Sequence, residues 1–274
     1  MKKIDRLGWL AGIAFNAYGL RVGIRTNQPE LMERIVELLP TGWKPLSSRL
    51  VEGLYSLRVG DNGSPGRKGR RFNLLYSGTE QIARSDNLKD VLGSLETNLR
   101  HFVAEYSPNR LFVHAGVVGW RGKAIVIPGQ TFSGKSTLVA ELVRAGATYY
   151  SDEYALLDSR GRVHPYAKPL SLRKEGSAEQ EEHSVESLGG RSGEKPLRVG
   201  LVVVARHRAK AKWKPRTLSA GQGVLELFAN TLPARRRPDV ALTTLERAVS
   251  QARVLKGVRG EAKEAAGRIL QILA

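Results

Sequence analysis

Gly129-Gln130-Thr131-Phe132-Ser133-Gly134-Lys135-Ser136 matches the pattern G-x-x-x-x-G-K-[ST] at every fixed position. Each fixed residue has a physical reason. The glycines let the chain curl so that backbone N–H groups turn toward phosphate oxygens. A helix opening near Lys135 adds the positive end of its dipole. The Lys135 ammonium is expected at the β- and γ-phosphates, and the Ser136 hydroxyl at a Mg²⁺ ion. Thr137 follows in the first helical turn and joins the expected nucleotide-binding set. The ligand that this pattern fits is ATP with Mg²⁺.

The flanks supply the context such a loop needs. Residues 124–127 are an apolar run read as a strand, and 135–145 carry Leu138, Leu142 and Val143 on one helical face. Gly146 stands where a helix C-terminal glycine belongs. Upstream, 111–118 is a second apolar run, joined to 124–128 by a basic turn, so the two read as a hairpin of buried strands. Downstream, 147–150 reads as the next strand and ends in Ser151-Asp152-Glu153. In an open α/β sheet, ligands collect at the carboxyl ends of strands. That places Asp152 and Glu153 toward the γ-phosphate, with Asp152 as metal ligand or proton acceptor. A solvated strand end is the plainer reading, above all for Glu153.

Further out, 27–39 reads as a helix entered through Pro29, 54–59 as a strand, and 60–71 as a loop rich in Gly, Pro and charge. Residues 86–106 form the clearest helix of the first half, with Leu88, Val91, Leu92, Leu95, Leu99, Phe102 and Val103 at helical spacing. Pro108 closes it. The reading divides the chain into a small α+β domain over 1–107 and an α/β domain over 108–274. In the second half, 175–196 reads as a mobile, polar loop, 197–205 as a strong strand, and 221–230, 239–252 and 260–273 as helical stretches.

Composition sets the outer limits. The chain has 274 residues, enough for one large or two modest domains. It contains no cysteine, which excludes disulfides, thiolate metal sites and a cysteine nucleophile, and fits a cytoplasmic location. No apolar run reaches the roughly 20 residues of a membrane span. The stretch after Lys2 and Lys3 is broken by Asp5 and Arg6, so a first strand is the better reading than a signal peptide. The formal charge of +18 favours acidic partners. It adds no base-reading chemistry, so nucleic acid ranks below other partners.

Taken together, Val113-His114-Ala115-Gly116-Val117-Val118, the loop, the Asp152-Glu153 pair and Pro169-Leu170-Ser171-Leu172 resemble the catalytic domain of HPr kinase/phosphorylase and its relatives, over about residues 110–175. That family shares its nucleotide-binding core with the phosphoenolpyruvate carboxykinases. The resemblance implies an α/β P-loop kinase core of that type behind a smaller α+β domain. It implies Mg²⁺-ATP-dependent phosphorylation of a serine and a homo-oligomer. It assigns Lys135, Asp152, Glu153 and His114 to the catalytic group, and Ser136 and Asp152 to the metal. Gln130 and Thr131 stand where bifunctional members carry an acidic residue, and Glu153 where they carry a second Asp. Their Glu-x-Arg-Gly signature is missing. The chain is thus more similar to divergent relatives, including those that phosphorylate a serine of a small peptide.

His114 alone would be an ordinary core histidine. Lys168 and Arg173 are candidates for phosphate contacts, and one of Arg235–Arg237 for a transition-state cation. Rival readings keep the same loop: a small-molecule kinase, a nucleic-acid-associated ATPase, or a module that senses ATP without chemistry.

Overall fold

The computed structural model describes residues 3–48, 50–60, 72–130, 133–166, 168–173 and 180–273. The sequence-predicted site residues Thr131 and Phe132, and the loop at 61–71, lie outside the described residues. The chain divides into two compact units, Met1–Pro108 and Asn109–Ala274.

The first unit holds β1 (Ala11–Ala17), β2 (Leu20–Thr26), α1 (Met32–Glu37), β3 (Lys44–Pro45), β4 (Gly53–Arg58), β5 (Asn73–Ser77), β6 (Glu80–Ser85) and α2 (Leu88–Tyr106). Its sheet runs β3-β1-β2-β4-β5-β6. The α2 helix starts where the Asn87 side chain accepts from the Lys89 amide. It buries Val91, Leu92, Leu95, Leu99 and Val103. Pro29 does open a helical turn, though a 3₁₀ turn (Pro29–Leu31) precedes α1. Asn27, before that turn, exchanges two hydrogen bonds with the backbone of Val59, just past β4.

The second unit is mixed α/β. Its strands are β7 (Leu111–Trp120), β8 (Lys123–Pro128), β9 (Thr148–Ser151), β10 (Tyr154–Leu157), β11 (Arg162–His164), β12 (Leu170–Arg173), β13 (Gln180–His183), β14 (Leu197–His207), β15 (Arg216–Leu218) and β16 (Arg253–Arg259). Its helices are α3 (Lys135–Arg144), α4 (Ala220–Phe228), α5 (Pro238–Val249) and α6 (Ala262–Ile272). The main sheet runs β11-β10-β7-β8-β14-β16-β15, and β9 joins it on β7. The neighbours β8, β14 and β16 are parallel, so their carboxyl ends share one side.

Alternation explains why β8 reads as an unbroken apolar run. Ile125 and Ile127 pack on one face with Leu138 and Leu142 of α3 and Ile269 of α6. Ala124 and Val126 pack on the other face with Val224 of α4 and Leu245 of α5. A strand covered by helices on both faces must be apolar at every position.

Three expectations change. The strand at 147–150 is not a parallel strand with an open end: β9 and β10 both run antiparallel to β7 in one register, with Val117 opposite Ser151 and His114 opposite Tyr154. Asp152-Glu153 interrupts what is otherwise one long strand. The 175–196 loop contains β13, paired with β12, and a 3₁₀ turn (Glu186–Leu188). Val185 of that stretch is buried in the core with α3, with Leu188 packed against it, while most of its other described residues are exposed. The tail contains a strand, β16, between β14 and β15, where only helices were expected.

Candidate functional site

The loop 129–134 joins β8 to α3. Its last glycine, Gly134, caps α3 with φ +82°, a backbone setting that side chains resist. A β-carbon on Gly129 would lie 2.7 Å from the Ser133 hydroxyl, so the first glycine is needed for close approach. The Ser133 amide donates to the Gln130 carbonyl at 3.2 Å, which tightens the turn. Gln130 and Thr137 are exposed, and Ser136 is half-buried.

Lys135 is 93% withdrawn from solvent, since only 7% of it is exposed. Its ammonium curls back and donates to the Gln130 carbonyl at 2.9 Å. Burial lowers its pKa to about 8, against the pull of the Asp152 and Glu153 charges.

The carboxylates are set by Ser151. Its hydroxyl accepts from the amides of Glu153 and Tyr154, at 3.1 and 2.9 Å, which turns the chain out of the strand. Asp152 is thereby buried beneath α3. Its oxygens accept from the Tyr149 hydroxyl at 3.0 Å and the Ser171 amide at 3.3 Å, and the nearby Ser136 hydroxyl favours its ionised form. Burial nonetheless holds its pKa above the usual carboxylate range. Burial likewise pushes the Tyr149 phenol upward, and the Asp152 charge adds to it. Glu153 pairs with Lys168 at 2.8 Å.

β7 lies between these two halves. On one side Ala115 pairs with Pro128, and the Gly129 amide donates to the His114 carbonyl at 3.3 Å. On the other side the Ala115 amide donates to the Glu153 carbonyl at 3.0 Å. Gly116 has no side chain, which lets Val139 of α3 settle onto β7. One short stretch, 114–116, therefore holds the loop and the carboxylates at a fixed separation. His114 is at the base of the loop, with its ring 6.1 Å from the Tyr154 ring.

The structure thus gathers Lys135, Ser136, Asp152, Glu153 and His114 around one strand. Arg235–Arg237 follows a turn that meets the same strand: Thr231 bridges Val113, the His114 amide donates to the Asn230 carbonyl at 2.7 Å, and Arg235, exposed like Arg236, ends the 3₁₀ turn (Leu232–Arg235) that comes next. The Arg173 side chain lies outside what the structure describes.

Two neighbours of the site, Tyr149 and Arg259, had no part in the sequence-based expectation, and Ser171 entered it only within Pro169–Leu172, without a role. Tyr149 and Ser171 hold Asp152. Arg259, at the carboxyl end of β16, is 3% exposed and donates to the carbonyls of Gly134 and Gly260, at 2.8 and 2.9 Å. A phenol three residues before the acidic pair was visible in the sequence. Arg259 had no signal, because its strand was not foreseen.

Among the described residues, no group of three or more His, Asp or Glu side chains gathers to hold a metal ion. Ser136 and Asp152 still suit Mg²⁺, a hard ion that keeps waters and nucleotide phosphates as its other ligands. No helix among the described residues is long and apolar enough to cross a membrane.

No family model matches the chain, and no curated protein matches it. Among solved structures, the Hpr(Ser) kinase/phosphatase from Coxiella burnetii is similar over 60% of this chain and 99% of that chain, at 12% identity and a TM-score of 0.32. That is a distant structural relationship, and the functional reading rests instead on the loop and its neighbours.

Proposed function

We propose that the chain is a Mg²⁺-ATP-dependent phosphotransferase acting on a hydroxyl, with a serine of a protein or small peptide as acceptor. One observation carries this reading: a buried lysine at the start of α3 shares its surroundings with a buried aspartate, and the serine next to that lysine is close enough to favour the aspartate's ionised form. A cation to draw the phosphates, a hydroxyl for Mg²⁺ and a carboxylate able to serve as metal ligand or as proton acceptor are thereby within one site.

In the reaction, the acceptor oxygen attacks the γ-phosphorus in line and the bond to the bridging oxygen of ADP breaks. The hydroxyl proton passes to Asp152. Its raised pKa suits that task, since a base nearer neutrality holds the proton better. Lys135 neutralises charge on the phosphates, and Mg²⁺, when bound, would neutralise the rest. Tyr149 and the Ser171 amide keep the carboxylate aimed.

The test is transfer from γ-labelled ATP to serine-bearing peptides, proteins and a metabolite pool, with Lys135→Ala and Asp152→Asn as controls. Label on a serine, lost in both variants, is the expected result. Label on a free metabolite would select a small-molecule kinase on the same core.

A second reading has one observation in its favour. Arg206, His207 and Arg208 are exposed at the end of β14, and the His207 β-carbon is 3.9 Å from where a Gly134 β-carbon would stand. Cations beside the loop fit a nucleic-acid-associated ATPase too. Label released only as free phosphate, and rising with DNA or RNA, would select it.

A further inference from the structure

A second cationic site lies at the other end of β14. A cavity of about 520 Å³ is lined there by Arg160, Arg162, Arg198, Arg247 and Glu246. Arg198 and His207 are at opposite ends of β14, and nine residues of strand span about 30 Å. The cavity is therefore separate from the loop site.

Its arginines are held in place by the backbone. The Asp158 carboxylate accepts from the amides of Arg160 and Arg162, at 2.9 and 3.0 Å, which fixes the turn between β10 and β11. Gly161, at φ +73°, lies so close to α5 that a β-carbon would be 2.5 Å from the Ala248 amide nitrogen. Arg247 of α5 reaches across and donates to the Ser159 carbonyl at 2.7 Å.

The charge arrangement is unfavourable as it stands. Arg162 and Arg198 are directly opposite on the antiparallel β11–β14 ladder, and Lys123 pairs with Arg198 on its other side. Like charges in directly opposed positions destabilise a sheet. Among the described residues, none of the four arginines forms an ion pair, and Glu246 is the single acidic group on the wall. A multiply charged anion between the strands would turn this repulsion into attraction. Guanidinium forks match phosphate oxygens in pairs. The volume suits a small molecule rather than a polymer.

We propose that this cavity binds a phosphorylated small molecule, with Arg162 and Arg198 on its phosphate and Glu246 accepting from a neutral donor on the same ligand. The inference does not depend on what the loop does.

The test is calorimetric titration of the full chain with inorganic pyrophosphate at constant ionic strength. A Lys135→Ala background weakens binding at the loop. One saturable site is expected to remain, and Arg162→Gln with Arg198→Gln should weaken it by roughly tenfold or more. Without pyrophosphate, the double substitution should leave the Tm unchanged or raise it, because repulsion is removed. Arg160→Gln, on the exposed turn, repeats the affinity loss if the double variant misfolds. Absence of saturable binding, or equal affinity with and without the arginines, overturns the proposal. So does tighter binding of a hexaglutamate peptide than of pyrophosphate, which would make this a peptide-docking surface. If Lys135→Ala leaves pyrophosphate binding unaltered from the natural chain, the loop reading fails while the cavity stands.

Discussion

The guanidinium of Arg259 donates to the carbonyl of Gly134 at 2.8 Å, tying the end of β16 to the start of α3. The contact is tight enough that a β-carbon on Gly134 would be 2.5 Å from Arg259 Nη2. Burial lowers the arginine's pKa, with Glu261 partly opposing, so this cation is kept in an environment that disfavours charge. Its use is to hold the loop's left-handed glycine in place and to lend positive potential to the helix start. Arg259→Met should weaken nucleotide binding by about tenfold, near 1.4 kcal/mol. Arg259→Lys should recover part of the loss, since it keeps the charge but lacks the rigid fork whose two nitrogens reach the two carbonyls separately. Titration with a fluorescent ATP analogue measures it, and unchanged affinity in Arg259→Met would remove the arginine from the site.

How far the sequence led depends on what each element is made of. The β7–β8 hairpin and α3 were legible because both faces of the hairpin are covered and its apolar runs are unbroken. β16 was not. Arg253, Lys256 and Arg259 interrupt its pattern, and it is a strand because β14 and β15 flank it. Arg259 was lost with it. The acidic pair was legible as a pair, but its geometry was not. Ser151 breaks one antiparallel strand there, a local hydrogen-bonding choice that periodicity does not register.

Asp152 should trade stability for activity. Its raised pKa means the folded state disfavours the ionised form, so between the unfolded value of 3.8 and the higher folded value, stability falls as pH rises. Asp152→Asn removes that charge and keeps one acceptor oxygen for the Ser171 amide, while its NH₂ can donate to the Tyr149 hydroxyl, which still has the Lys168 carbonyl to donate to. Phosphoryl transfer should drop by about 10²–10⁴-fold, while the Tm at neutral pH should hold or rise. A variant both inactive and markedly less stable would mean that Asp152 acts mainly in the fold.

Lys135 gives the pH dependence of nucleotide binding. Below about pH 8 it is charged in both folded and unfolded chains, and its burial penalty is complete. Between 8 and the ordinary value of 10.5 the unfolded chain keeps a proton that the folded chain has released, so stability rises with pH over that window. Affinity for ATP runs the other way. Above pH 8 binding must restore the ammonium, and Kd should climb toward about tenfold per pH unit. Titrations from about pH 7 to 9.5 test this, with Lys135→Arg expected to flatten the profile because a guanidinium stays charged. A flat profile in the natural chain would separate Lys135 from the phosphates.

Gly116 is the spacer between the halves of the site. A β-carbon there would be 2.5 Å from Val139 Cγ2, and valine has no flexible end to move aside. Gly116→Ala should lift α3 from β7 and cost about 1–3 kcal/mol in denaturant unfolding. Since α3 carries Lys135 and Ser136 while β7 borders Asp152, the same shift should raise KM for ATP. Val139→Ala opens room for the new methyl. The two substitutions should therefore be strongly non-additive, with the double variant recovering stability and KM relative to Gly116→Ala alone. Simple additivity would show that the contact between α3 and β7 does not set the distance between the loop and the carboxylates.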